Sequence, residues 1–270
     1  MKLIFLSLIA FIFMLSSCDS PQVAKGIDFV PAMDDTGNIE FIHELGAVRK
    51  TIEQSAGMYS QLSVKQCPYK PSVLRGRDND VATSNMKAMR FGMYGASFVY
   101  AASYNQPKNA ADYLQVIVKL GEELGLENTF DKEQLKLLYQ SDPEVDKSMI
   151  LTKAYLRATE QLYDDERALL VSFMVFGGWI EGMSMSYDIC GEYLEDESIR
   201  LALYDQTYSF YNCLRILKTF ENEADARDLI ARMEKLEPVI EDVVKSRGEL
   251  DSALFERVRI EVSSFRNEIN

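Results

Sequence analysis

The apolar residues of this chain recur at spacings of three and four, and no segment alternates apolar and polar residues over a sustained length. The spacing is clearest in the ranges 199–217, 229–243 and 254–269. Such spacing places apolar side chains on one face of a helix, whereas a half-buried strand would alternate. We therefore predict an all-α fold with about nine helices, arranged in antiparallel hairpins as a bundle or a tetratricopeptide-like stack.

One predicted helix is apolar on every face. Residues 169–185 are almost wholly apolar and are interrupted by Glu181. This run is short for a membrane span and has acidic residues on both sides, so it predicts a central, buried helix. A chain of 270 residues with 47 % hydrophobic content can bury such a helix within one domain, which we place at 38–270.

Several residues mark helix ends. Asn105 and Pro107 are expected to end the second helix and begin the third, and Gly125 is expected at a helix C-terminus. Asp131 is expected to cap a short helix, and Asp142 to open the next one.

Two further features interrupt the helical pattern. Residues 56–80 lose it and are predicted to be the longest irregular stretch of the domain. Pro238 lies within an otherwise regular stripe, so we expect it to kink or restart that helix.

The N-terminus resembles a lipoprotein signal. Lys2 precedes an apolar run, Leu3 to Leu15, which ends in the lipobox sequence Leu15-Ser16-Ser17-Cys18. We predict a signal peptide at 1–17, cleavage between Ser17 and Cys18, lipidation of Cys18, and a flexible tether over 18–37. The alternatives are an ordinary signal peptide with a chance cysteine, or an uncleaved anchor.

The predicted anchor and the charge of the chain limit its partners. A lipidated Cys18 implies a cell-envelope protein anchored to a membrane, at the outer membrane or the periplasmic face and not in the cytoplasm. The formal net charge of -13 disfavours nucleic acid and anionic lipid headgroups. The expected partners are therefore the membrane, through the anchor, and an envelope protein.

The cysteines and the single histidine indicate neither a metal site nor a catalytic one. Cys67, Cys190 and Cys213 remain beside Cys18, and helix geometry makes a 190–213 disulfide unfavourable, so buried free thiols are expected. His43 is the only histidine, which leaves too few ligands for an ordinary zinc site. No cofactor-binding or nucleophile motif is present. These observations favour a protein that is not an enzyme.

Glu181 is the most informative single residue, because a carboxylate in an apolar helix must be paired, hydrogen-bonded or protonated. A structural polar network, a ligand contact shared with Trp179, and general acid catalysis all remain open. If the second and sixth helices pack together, its partners would come from the second helix: Tyr94, Tyr100, Tyr104 or Arg90.

A tyrosine-rich helix end forms the other candidate binding region. Tyrosines and amide side chains are typical of sugar and peptide sites, although tyrosines at these spacings also occur at the edge of a core. The candidate residues are Tyr94, Tyr100, Tyr104, Asn105 and Gln106.

Small residues lie one turn apart in two helices, at Gly92 and Ala96 and again at Gly178 and Gly182. Such pairs let another helix approach closely, or a ligand.

These motifs together resemble a group of uncharacterised all-helical lipoproteins of Gram-negative bacteria. The resemblance rests on the lipobox, on residues 91–96 and 100–106, and on the Gly-Gly-Trp-Ile-Glu-Gly sequence at 177–182. It implies an envelope location and a helical fold, with no established activity and no catalytic residue.

The leading functional hypothesis is a non-enzymatic binding or scaffolding module. Its groove, near the second and sixth helices, would take an envelope protein or peptide. The alternative is a binding protein for a glycan, lipid or peptidoglycan fragment, held around Glu181 and Trp179. A remote alternative is a hydrolase that uses Glu181.

Overall fold

The computed structural model describes residues 38–64, 67–77, 81–140, 142 and 144–269. The predicted signal peptide, its cleavage site, Cys18 and the tether lie outside the described residues.

Within this part of the chain there are nine α-helices and no strand, which confirms the predicted all-α fold. The helices are α1 (Asn38–Val64), α2 (Ser84–Ser103), α3 (Pro107–Glu123), α4 (Lys132–Tyr139), α5 (Lys147–Asp164), α6 (Ala168–Cys190), α7 (Glu197–Lys218), α8 (Ala224–Ser246) and α9 (Ser252–Glu268).

The apolar helix α6 lies at the centre of the fold. It packs most extensively against α2 and also contacts α5, α7 and α9. This arrangement is a bundle around one helix, because a repeat stack would join each helix pair only to its neighbours. Residues Ala168–Tyr193 are long and apolar enough to cross a membrane by length and composition alone, yet 83 % of their most apolar window is buried inside the protein. The predicted central, buried helix is therefore observed.

Several predicted helix ends are observed. Asn105 and Gly125 adopt left-handed backbone conformations, with φ of 54° and 72°, directly after α2 and α3. The Asp131 side chain accepts a hydrogen bond from Gln134 N at 2.7 Å and so caps α4. These residues stop or start helices because their side chains or backbones satisfy groups that the last turn leaves unpaired.

Two local predictions are wrong. α1 continues to Val64 through small residues that break the apolar stripe but not the helix, so the irregular stretch is shorter than 56–80. Asp142 accepts a hydrogen bond from Glu144 N in a turn, and α5 begins later, capped by Asp146. Of the two outcomes expected at Pro238, the restart does not occur, since α8 runs through the proline as one helix whose apolar stripe is buried on both sides.

Candidate functional site

The helices α2 and α6 cross in direct backbone contact. A Cβ atom on Gly92 would lie 1.9 Å from Met174 O, and one on Gly177 would lie 2.2 Å from Met89 O. No side chain fits at either position, so these two glycines are required by helix packing. Two different environments lie beside this crossing: a buried cluster of charged groups around Glu181, and a groove lined by small residues.

The first environment is a buried ion-pair cluster of Glu181, Arg75, Arg266 and Ser97. Glu181 has no exposed surface. Arg75 Nε donates to Glu181 Oε2 at 2.8 Å, whereas Arg266 binds both oxygens, Nε to Oε2 at 2.7 Å and Nη2 to Oε1 at 2.6 Å. Ser97 Oγ donates to Oε1 at 3.3 Å. The expected pairing of Glu181 is present, but of the partners we named none takes part in these bonds.

The ion-pair cluster holds the irregular segment 67–77 against the bundle. Arg266 also donates to Val73 O at 3.1 Å, and Tyr113 donates to Arg75 O at 2.7 Å. The backbone N–H of Lys70 donates to the Tyr100 hydroxyl at 2.8 Å. The hydrogen bonds of the two guanidinium groups are charge-assisted and therefore stronger than the neutral ones. Together they fix in place a segment that has little regular structure.

The tyrosines of the predicted binding site also contact the segment 67–77. The ring of Tyr100 contacts the rings of Tyr59, Tyr69 and Tyr104, with centroids 5.5, 5.3 and 4.9 Å away. Burial raises the pKa of Tyr100 to about 12, because the charged phenolate would lose its hydration. The ring of Tyr94 is buried beside Tyr113. These tyrosines belong to the hydrophobic core, and Tyr100 holds the segment 67–77 in place through its contacts with Lys70 and Tyr69.

The other predicted binding residues have structural positions as well. Asn105 forms the left-handed end of α2, and Gln106 Nε2 donates to Tyr104 O at 3.0 Å. Trp179 is buried against Phe176 and Phe210, and its indole N–H donates to the Gln206 carbonyl at 3.1 Å. The structure thus does not bring the seven predicted residues together in one cavity.

The second environment is a shallow groove between α1, α2, α5 and α6, with a cavity volume of about 50 Å³. We call it the small-residue groove, because glycine and alanine form much of its surface. Its lining residues are Thr51, Ile52, Ser55, Ala56, Tyr59, Gly92, Gly95, Ala96, Val99, Leu151, Thr152, Tyr155, Val175 and Gly178.

One hydroxyl group in the lining of this groove makes no hydrogen bond. Thr51 is 1 % exposed, and Thr51 Oγ1 has no partner in the described part of the chain. The Tyr59 hydroxyl is also buried, but it lies beside Ser186, which lowers its pKa as a hydrogen-bond partner, and 3.2 Å from the position that a Cβ on Gly182 would take. The neighbouring hydroxyls are satisfied: Thr152 donates to Ser148 O at 2.8 Å and Tyr155 to Met174 O at 2.6 Å. An unpaired buried hydroxyl costs roughly 1–3 kcal/mol, so such groups need an explanation.

Burial raises the pKa of Tyr59 well above its usual value, and the negative charge of Glu181 raises it further. Tyr59 is therefore a neutral phenol that can donate a hydrogen bond.

Helix α1 meets the bundle through side chains at the edge of the groove. Ser55 donates to Gln206 and Ser209 donates to Gln54, both at 3.4 Å. On α2, Gly95 differs from Gly92, since a Cβ there would meet only the Tyr155 ring, at 3.5 Å. Helix packing therefore does not require glycine at position 95, and its smallness leaves the groove open.

Sequence reasoning found two helices of this groove, α2 and α6, and missed α1 and α5. The small residues Gly92, Ala96 and Gly178 indicated close approach, and all three line the groove. Thr51 could not be recognised, because a threonine in an amphipathic helix is ordinary. Its unpaired hydroxyl becomes visible only once α1 is placed against α2 and α6.

The chemistry available in the groove is that of binding. Its lining contains hydroxyls and apolar groups, without a carboxylate, imidazole or thiol. Within the described ranges, no three histidine, cysteine, aspartate or glutamate side chains are grouped so that they could hold a metal ion.

No protein family matches this chain, and neither curated proteins nor solved structures show significant similarity to it.

Proposed function

We propose that the protein is a lipid-anchored, non-enzymatic binding protein of the cell envelope that holds an apolar segment of a peptide or envelope protein in the small-residue groove. The observation that carries the proposal is the unpaired hydroxyl of Thr51 in a mostly apolar lining whose other hydroxyls have hydrogen-bond partners. A bound segment would supply both the missing apolar contacts and the missing hydrogen bond.

A peptide provides both an apolar side chain and a hydrogen-bonding backbone carbonyl at a suitable spacing. One apolar side chain would lie over Gly95 and Ala96, where the lining is smallest. A backbone carbonyl of the same segment would accept from Thr51 Oγ1. Because this donor has already lost its hydration in the unliganded protein, the hydrogen bond that the ligand supplies recovers part of that cost.

Other occupants fit the groove less well. A glycan requires many polar partners, whereas most of the lining is apolar. A net charge of -13 disfavours lipids with anionic headgroups. Catalysis at Glu181 has no structural support, because both carboxylate oxygens accept hydrogen bonds from guanidinium groups and the side chain is fully buried.

The test uses the full chain in detergent micelles and two defined probes. The first is a library of uncharged capped pentapeptides with one variable central residue, and the second is a dansyl-labelled fatty acid. Ala56→Phe and Ala96→Phe place a ring in the groove from α1 and α2, respectively. Ala253→Phe makes the same change at an exposed position on α9 and is the matched control.

We expect peptides with a central Leu, Ile or Phe to bind, and the two groove variants to lose this binding while Ala253→Phe keeps it. Thr51→Val should weaken binding about 3- to 10-fold, the effect of one hydrogen bond. If only the fatty acid binds, the ligand of the groove is a lipid and not a peptide. If neither probe binds, or if the groove variants bind as the wild type does, the proposal is wrong.

The anchor is tested separately. Cys18→Ser should abolish incorporation of radiolabelled palmitate and release the protein from the membrane fraction. Persistent labelling of this variant would contradict lipidation at Cys18.

A further inference from the structure

Two cysteines that are far apart in the sequence meet in the fold. Cys67 begins the segment 67–77 and is 2 % exposed, and Cys190 is the last residue of α6 and is fully buried. The two thiols lie close enough that Cys190 lowers the pKa of Cys67 and Cys67 raises the pKa of Cys190. Both are free thiols in this structure.

The contact belongs to a regular series along α6. Arg75 pairs with Glu181 at 2.8 Å, and Lys70 Nζ donates to Asp188 O at 3.2 Å. As the residue numbers fall along the segment, they rise along the helix, so the segment runs antiparallel to α6. Cys67 and Cys190 are the next pair in this order, and the hydrogen bonds around them hold their backbones in place.

We propose that Cys67 and Cys190 form a disulfide bond that fastens the segment 67–77 to the C-terminal end of α6. Cys213 is the third thiol and takes no part, because it is buried near Tyr155 in another region of the core. The proposal goes beyond the groove, and it rests on the proposed envelope location for its oxidant.

The oxidant is a disulfide of the protein disulfide oxidase class. The thiolate of Cys67 attacks one sulfur of this disulfide, forms a mixed disulfide and releases the other oxidant sulfur as a thiol. The sulfur of Cys190 then attacks Cys67 Sγ and releases the second oxidant thiol. The two protein thiols have lost two protons and two electrons, and the oxidant disulfide has become two thiols.

The order of these steps follows from the local environment. The neighbouring Cys190 lowers the pKa of Cys67, and the Lys70 ammonium acts in the same direction. Cys67 raises the pKa of Cys190, as does the burial of Cys190. Cys67 is therefore the nucleophile for the first attack once these groups have come together. Since both thiols are buried in the folded chain, we place the reaction late in folding, while the segment packs onto α6 and the oxidant can still reach it.

The experiment counts thiols in the full chain, isolated from the envelope of a Gram-negative host. Samples are quenched in acid and denatured, and then treated with a polyethylene-glycol maleimide before and after reduction. We expect reduction to expose two additional thiols in the wild type and in Cys213→Ser. Neither Cys67→Ser nor Cys190→Ser should gain these thiols.

A second arm incubates the isolated protein with oxidised glutathione while it refolds from denaturant. The wild type should lose two thiols, and its midpoint of thermal unfolding should exceed that of Cys67→Ser by about 10 °C, because the bond closes a long loop. Cys213→Ser is the control for losing a buried thiol.

Equal thiol counts before and after reduction, in both arms, would overturn the proposal. If only the refolded sample forms the bond, the two cysteines are able to pair but are not oxidised in the envelope, which also overturns the proposal. None of these counts involves the small-residue groove, so they can fail or succeed independently of peptide binding.

Discussion

The ion-pair cluster and the small-residue groove are built on the same two helices, yet their polar groups are in opposite states. In the cluster, both oxygens of Glu181 accept hydrogen bonds and no part of the side chain reaches solvent. In the groove, the buried hydroxyl of Thr51 has no partner in the described part of the chain. A polar group whose hydrogen bonds are all made stabilises the fold, whereas an unpaired one marks a place where a ligand could bind. The comparison therefore makes Thr51, and not Glu181, the candidate binding residue.

The largest effect should come from Glu181→Gln. Removing the negative charge leaves the guanidinium groups of Arg75 and Arg266 buried beside a neutral amide, which we expect to cost about 3–5 kcal/mol of unfolding free energy. Denaturant unfolding measures this loss. Glu53→Gln removes an exposed ion pair with Arg49 and should change stability by less than about 0.5 kcal/mol. A loss below about 1 kcal/mol for Glu181→Gln would show that the cluster does not hold the fold.

Alanine substitutions at two glycines of α2 should change the stability of the protein in opposite directions. Gly92→Ala forces a methyl group into the backbone of α6 and should cost about 3 kcal/mol. Gly95→Ala meets only ordinary contacts and should stabilise the protein by roughly 1 kcal/mol, because alanine favours the helix. Thermal unfolding of the two variants separates the packed part of the crossing from the open part. Equal destabilisation by both would mean that no groove exists at position 95.

A third pair of variants removes one hydroxyl from each region. Thr51→Val keeps the shape of the side chain and removes an unpaired group, so it should stabilise the unliganded protein by about 1 kcal/mol. Ser97→Ala removes a hydrogen bond to Glu181 and should destabilise it by about 1–2 kcal/mol. Both are measured by denaturant unfolding without peptide. If Thr51→Val is destabilising, Thr51 has a partner and the contrast between the regions fails.

The smallest effect concerns alkaline pH. The pKa of Tyr100 is raised from 10.0 to about 12, so its neutral form contributes stability that is fully present below about pH 10 and is lost as the pH rises towards 12. At about pH 10.5 this loss should be about 1 kcal/mol or less. It is measured as the pH dependence of the stability difference between wild type and Tyr100→Phe. A difference that stays constant up to pH 12 would contradict the burial of this hydroxyl.

The fold could be predicted in large part because its signals are local. Helix stops at Asn105 and Gly125 and the cap at Asp131 depend on neighbouring residues, and each is observed. The wrong predictions concern residues 56–64, where the helix continues although its apolar stripe breaks, and Asp142, which lies in a turn before the residue that caps α5.

The sites were harder to predict, because their partners are distant in sequence. Glu181 is separated from Arg75 by 106 positions and from Arg266 by 85. A buried carboxylate could be recognised in the sequence, but no pattern indicated that these two arginines would meet it. The groove depends on where α1 lies, which no stripe of residues specifies.

The position of Arg266 has a consequence for biosynthesis. Glu181 and its apolar helix leave the ribosome 85 residues before this arginine, a delay on the order of ten seconds at ordinary elongation rates. During this interval Glu181 can pair with Arg75, which has already been made, but not with Arg266, which binds both of its oxygens in the folded protein. The ion-pair cluster that encloses the central helix is thus completed only when the last helix of the bundle has been made.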